Sequence, residues 1–199
     1  MPGLGFSSKV ALALTPFLVG WVIAANRLVV QPESQLWIEG TSTVRSFKCA
    51  AAVIEADVTT TRPDAVQAVI GGETAVASVA LRVPAGRLDC RNNTMNQHMR
   101  KALKVDANPT ITFDLGAYEL LSTDARMRTR LDGTLTLGGA KKDISIEADL
   151  VPEAGNALRV KGSYDLRMTE YGLKPPSLML GTLRVNELVT VNFDLLLKD

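Results

Sequence analysis

Residues 93–113 read N-T-M-N-Q-H-M-R-K-A-L-K-V-D-A-N-P-T-I-T-F. In the first half, Met95, Met99 and Leu103 recur every fourth position, the spacing that lines one face of a helix. Asn108-Pro109 then interrupts the pattern, and Thr110-Ile111-Thr112-Phe113 alternates polar and apolar, as a strand with one buried face does. The spacing predicts one short helix that stops at Asn108-Pro109 and feeds a strand.

On both sides of this island the period stays at two. A first strand is expected over 35–39 and 43–49, broken near Gly40. Others follow over 51–60, 74–83, 110–121, 127–137, 143–151, 157–168 and 187–198. The segment 64–72 reads as a plain connection ending in Gly71-Gly72, and Gly138-Gly139 as a hairpin turn. About eight strands joined by short turns are mostly antiparallel neighbours, each with one apolar face. A sandwich and a closed barrel both satisfy this pattern. A barrel removes the edge strands, and the small inward residues, Gly162 among them, favour a cavity over a filled interior.

The apolar faces supply candidate wall residues: Ile54 on the second strand, Val79 and Leu81 on the third, Ile111 and Phe113 on the fourth. Leu135 and Ile146 continue the series on the next two strands, Val160, Tyr164 and Leu166 on the seventh, and Phe193 on the last. Core packing accounts for these residues as well as ligand contact does. The same holds for Met95, Met99 and Leu103, although unbranched methionine adapts well to a flexible apolar partner.

Several function classes fall away on composition. The 199 residues carry 22 basic and 21 acidic side chains, a net charge of +1, which gives no electrostatic reason to expect nucleic acid or a polybasic membrane contact. His98 is the sole histidine, and Cys49 and Cys90 are the sole cysteines, too few for a His/Cys metal cluster. No cofactor-binding or metal motif is present, and no catalytic signature. An enzyme would have to work through His98 or a free cysteine. His98 reads either as a structural surface histidine or as a polar contact at a barrel mouth. Asn92-Asn93-Thr94 fits a glycosylation acceptor but reads more simply as a helix cap.

At the N-terminus, Lys9 precedes an apolar run over 10–25 that contains Pro16 and ends in Ala24-Ala25. Residues 1–25 read as an export signal cleaved after Ala25. An uncleaved N-terminal anchor is the alternative, although the run is shorter than the ~20 residues that comfortably span a bilayer. Either way the domain, residues 30–199, is expected in the periplasm or secreted, with membrane contact only through an uncleaved segment. In an oxidising compartment Cys49 and Cys90 are expected to form a disulfide, the alternative being two buried thiols.

Three blocks in order resemble the YceI-like family. They are the helix with its Pro-Thr-Ile-Thr-Phe sequel (96–113), Asp132-Gly-Thr-Leu-Thr-Leu137 with Gly139-Ala-Lys-Lys-Asp143, and 163–172 with Tyr171-Gly172. Ser42-Thr-Val-Arg-Ser-Phe47 also fits the family's opening strand. The chain departs from the pattern at Gly138, where the family often has histidine. The resemblance implies an all-β fold, an eight-stranded antiparallel lipocalin-like barrel with one short helix near the mouth of an apolar tunnel. It also implies non-enzymatic binding of an isoprenoid or other long-chain lipid, a hydrophobic ligand rather than a cofactor, in the bacterial envelope. The competing expectations are an envelope stress or interaction protein with a packed, lipid-free barrel, and a thiol- or His98-dependent enzyme.

Overall fold

Alternating side chains close the sheet into a ring. The computed structural model describes residues 26–121, 126–178 and 182–199; the expected export segment, residues 1–25, lies outside them. In chain order the strands are β1 (Arg27–Val30), β2 (Gln35–Ser42), β3 (Ser46–Ala51), β4 (Glu55–Thr60), β5 (Val76–Pro84) and β6 (Leu88–Asp89). They continue as β7 (Thr110–Leu120), β8 (Met127–Leu137), β9 (Ala140–Glu153), β10 (Ala157–Arg167), β11 (Ser177–Leu178) and β12 (Leu183–Lys198).

β1 and β2 are two halves of one bent strand, as are β3 and β4. Leu28 opposite Val58 and Trp37 opposite Ala50 belong to one antiparallel hairpin. β5, β7, β8, β9, β10 and β12 follow in order, each antiparallel to the last. β12 then pairs back onto both halves of the first strand, Leu197 opposite Val30 and Phe193 opposite Leu36. The result is a closed eight-stranded antiparallel barrel, which leaves no long sheet edge exposed.

Among the described residues two α-helices lie at opposite ends. α1 (Ala65–Ile70) buries Ala65, Val66, Ala68 and Val69 against Leu28, Val58, Leu150 and Leu158 at the end where β1 begins. The sequence predicts a plain connection over 64–72. Six residues are too few for a helical period to stand out, and tertiary packing holds the helix in place. α2 (Asn93–Ala102) lies at the other end. Its start is capped by Asn92, whose side chain accepts from the Met95 N–H at 2.9 Å, in line with the capping reading.

α2 ends six residues before Asn108-Pro109. Lys104 takes a left-handed φ of 55°, its N–H donates to the Lys101 carbonyl, and the Val105 N–H donates to that of Arg100. This paired closure satisfies the last carbonyls, with lysine in the place glycine usually takes. Pro109 only frames the entrance to β7.

Candidate ligand-binding cavity

The inward faces of the barrel enclose a cavity of about 640 Å³. That volume lies inside the range that holds a small organic ligand, roughly 300–1,000 Å³. The barrel interior is therefore hollow. Ala65, Val66 and Val69 of α1 form its floor. Ser42, Val44, Arg45, Asn92 and Thr94 stand around its opening, together with Met95 and His98 of α2.

The wall between is apolar because strand alternation turns every second side chain inward. Val79, Leu81, Ile111, Phe113 and Leu135 face the cavity, as do Ile146, Val160, Tyr164, Leu166 and Phe193. From the mouth, Met95, Met99 and Leu103 face it as well. His98 and Ala102 belong to the same stripe, since a helix against a groove presents positions i, i+3, i+4, i+7 and i+8 rather than every fourth residue.

Ile54 is the exception. Inward positions are odd on β3 (Phe47, Cys49) and even on β4 (Ala56, Val58), and Ile54 sits in the break between them. It packs half-buried against the core near the mouth and lies off the cavity wall.

The structure adds lining residues that alternation alone missed. Gly116 marks a bulge in β7, between Leu115 opposite Gly133 and Ala117 opposite Asp132. It shifts the inward positions from odd (Ile111, Phe113, Leu115) to even (Tyr118, Leu120). A glycine inside a strand pattern was the available signal. Leu36, Ile38 and Phe47 of the first hairpin, and the α1 floor, were missed as well.

Residues 29–197 match the YceI-like domain. The chain belongs to the YceI-like family. No curated protein matches the sequence significantly. Among solved structures, BcnA of Burkholderia cenocepacia superposes with a TM-score of 0.66 at 14% identity, over 84% of this chain and 99% of its own. A polyisoprenoid binding domain from Saccharophagus degradans, implicated in plant cell wall breakdown, gives 0.61 at 13% identity over 87% and 98%. The YCEI protein of Campylobacter jejuni gives 0.56 at 15% identity over 75% and 83%. At these identities the likeness is one of fold.

Polar atoms inside this YceI-like barrel are mostly committed to the protein. Tyr118 Oη accepts the N–H groups of Ala75 at 2.8 Å and Val76 at 3.0 Å, tying α1's exit to the wall. Thr129, 2% exposed, donates to the Glu119 carbonyl at 3.0 Å. Arg45 is the one charged lining side chain among the described residues, and it stands at the mouth. A charge deeper inside would have to be desolvated without a partner, so the lumen suits only an uncharged chain.

Tyr171, 2% exposed, is packed behind the wall, and its Oη has no hydrogen-bond partner among the described residues. Burial raises its pKa above the ordinary phenol value, and the neighbouring Tyr164, short of hydrogen-bonding geometry, adds to the rise.

Cys49 and Cys90 are joined in a disulfide that forms part of the lining. Cys90 also donates its N–H to Asn96 Oδ1 at 2.8 Å, and its sulfur rests 3.7 Å from Met99 Sδ. The bond thus ties the wall to the approach and inner face of α2. Both sulfurs are used, so a cysteine nucleophile beside His98 would first require reduction. Among the described residues no cluster of three His, Cys, Asp or Glu side chains is placed to hold a metal.

At Gly138, where this chain departs from the family pattern, an added Cβ would meet Leu173 Cδ2 at 2.4 Å. Leu173, 2% exposed, occupies the space a side chain there would need.

Proposed function

We propose that this protein binds one long apolar chain, an isoprenoid or similar lipid, and carries it without chemical change. The tail enters past α2 and runs toward α1, leaving the polar end near Arg45, His98 and Asn92. The carrying observation is a hollow of about 640 Å³ whose wall is largely apolar between mouth and floor, whose deep polar groups Tyr118 and Thr129 are bonded to the protein, and whose one charged lining residue among those described, Arg45, stands at the mouth with His98 and Asn92. The polyisoprenoid binding domain from Saccharophagus degradans, with the same fold, supports the choice of ligand class. The apolar run over 10–25 and the disulfide support a site of action outside the cytoplasm, in the envelope or secreted.

Energetics set a minimum tail length. Each buried methylene contributes about 0.8 kcal/mol. Micromolar affinity requires about 8 kcal/mol beyond the cost of association, which is several kcal/mol itself. Tails of roughly fifteen carbons or more are expected to bind where ten-carbon tails do not. Native mass spectrometry of detergent-free protein incubated with prenyl alcohols of increasing length tests this. One ligand per chain above the threshold supports the proposal, and no adduct at any length would sink it.

A further inference from the structure

The near-zero net charge hides a separation of charge along the barrel axis. At the α2 end, residues 85–109 carry Arg87, Arg91, Arg100, Lys101 and Lys104 against Asp89 and Asp106. Loops and strand ends at that end add Arg45, Lys141, Lys142, Arg167, Lys174 and Arg184 against Asp143, Glu170 and Glu187. At the α1 end the balance leans the other way: Glu33, Asp57, Asp64, Glu73, Glu153 and Asp199 outnumber Arg27, Arg62, Arg126 and Lys198. Along the strands between them, charges largely cancel in cross-strand pairs such as Arg128–Glu147 and Arg130–Glu119.

Some of the cations at the mouth are engaged. Lys142 pairs with Glu170, Lys104 donates to the Gly172 carbonyl, and Arg91 and Arg100 face Asp89. Among the described residues, Arg45, Lys101, Lys141, Lys174 and Arg184 are exposed and make no ion pair. Arg184 is fixed beside the β2–β3 hairpin, whose Thr43 N–H donates to the Arg184 carbonyl at 3.0 Å. At the tip of that hairpin Val44 is 70% exposed and also lines the cavity opening. An uncommitted basic rim thus surrounds an apolar aperture that carries its own exposed apolar tip. Asn26, where the described chain begins, lies at the opposite end, its carbonyl accepting the Thr60 N–H.

We infer that this rim docks the barrel, mouth down, on an anionic phospholipid surface, so that an apolar chain can pass between bilayer and lumen without crossing water. The inference rests on the lipid-binding reading for its purpose, and on charge complementarity and the continuity of rim with aperture for its geometry. Basic side chains near an anionic bilayer each strengthen attraction by a roughly constant increment that salt screens, while a single exposed valine adds little alone.

The test is flotation of the full chain with vesicles of phosphatidylcholine alone and of phosphatidylcholine mixed with phosphatidylglycerol, at low and high salt. Binding is expected on the mixed vesicles only, and is lost at high salt. Lys101→Gln with Lys174→Gln and Arg184→Gln should weaken it about a hundredfold. Lys198→Gln, at the α1 end, should not. Equal binding to both vesicle types, as the apolar run over 10–25 alone would give, overturns the docking, and so does a triple variant that binds like the parent. Uptake of a prenyl alcohol from vesicle-free solution, measured on the same proteins, reports the lipid-binding reading separately. None of the three substituted residues lines the cavity, so that uptake should be unchanged.

Discussion

The ring of Phe193 lies against Gly162, its cross-strand partner, so closely that a Cβ on Gly162 would stand 2.5 Å from Phe193 Cζ. The same cross-strand pairing recurs where Phe47 faces Gly40, and Phe113 covers Gly133 diagonally from β7 to β8. In each case the missing side chain lets an aromatic ring lie along the wall instead of across the lumen, and the ring shields a strand glycine that would otherwise pack poorly. Gly162→Ala is expected to force the ring inward, because its Cβ would also meet the Glu147 carbonyl at 2.8 Å. A loss of about 1–3 kcal/mol in urea unfolding should follow, with reduced uptake of the longest tails. Phe193→Leu in the same chain should restore part of both. An unchanged midpoint and unchanged uptake would show that the pairing has no role.

The disulfide closes a long loop, with a sequence separation of 41. Replacing both cysteines by alanine should cost about 3–4 kcal/mol. Because Cys90 leads directly into α2, the loss should be uneven. Hydrogen exchange is expected to quicken in α2 well before β9 and β10. Uniform acceleration would contradict the view that the bond fixes the mouth.

On the outer wall, Asp194 receives Arg159 at 2.8 Å and Lys161 at 3.1 Å. Burial opposes its ionisation, but these partners outweigh burial and hold its pKa below the ordinary carboxylate value. A carboxyl whose pKa falls on folding stabilises the fold above its unfolded pKa, about 3.9, and loses that contribution as pH drops through the lower folded value. Asp194→Asn should therefore cost about 1 kcal/mol near neutral pH. The gap between variant and parent should narrow only below about pH 4. A gap that stays constant down to acid unfolding would mean that packing, not charge, is responsible.

Tyr171 carries a buried hydroxyl with no partner among the described residues. Tyr171→Phe removes a desolvated polar group while keeping the ring. It should leave stability unchanged or raise it by up to about 1–3 kcal/mol, read from thermal or urea midpoints. A clear destabilisation would mean that the hydroxyl makes a stabilising bond in solution.

Much of this molecule was legible in its sequence, for identifiable reasons. Period-two alternation marked most strands of the barrel, because each has one face to the lumen and one to water, but the first strand expected over 35–39 and 43–49 is a hairpin that turns between Ser42 and Ser46. The helical stripe of Met95, Met99 and Leu103 marked the helix at the mouth. The misses came where a local irregularity changed the phase. The β3–β4 break took Ile54 off the cavity wall, and the bulge at Gly116 turned Tyr118 and Leu120 inward. Helix α1 was too short to announce itself, and Lys104 ended α2 in a conformation usually left to glycine. The basic rim was hidden by opposite charges at the far end of the barrel.

The central claim is that an apolar tail lies inside the barrel with its end at α1. A long prenyl alcohol with a nitroxide at the tail terminus, added to methyl-labelled protein, tests it directly by paramagnetic broadening. The Val66 and Leu158 methyls should broaden strongly, while those of Met95 and Met99 keep their intensity. Broadening confined to the outer surface or to the α2 methyls, or no broadening at saturating ligand, would contradict the account.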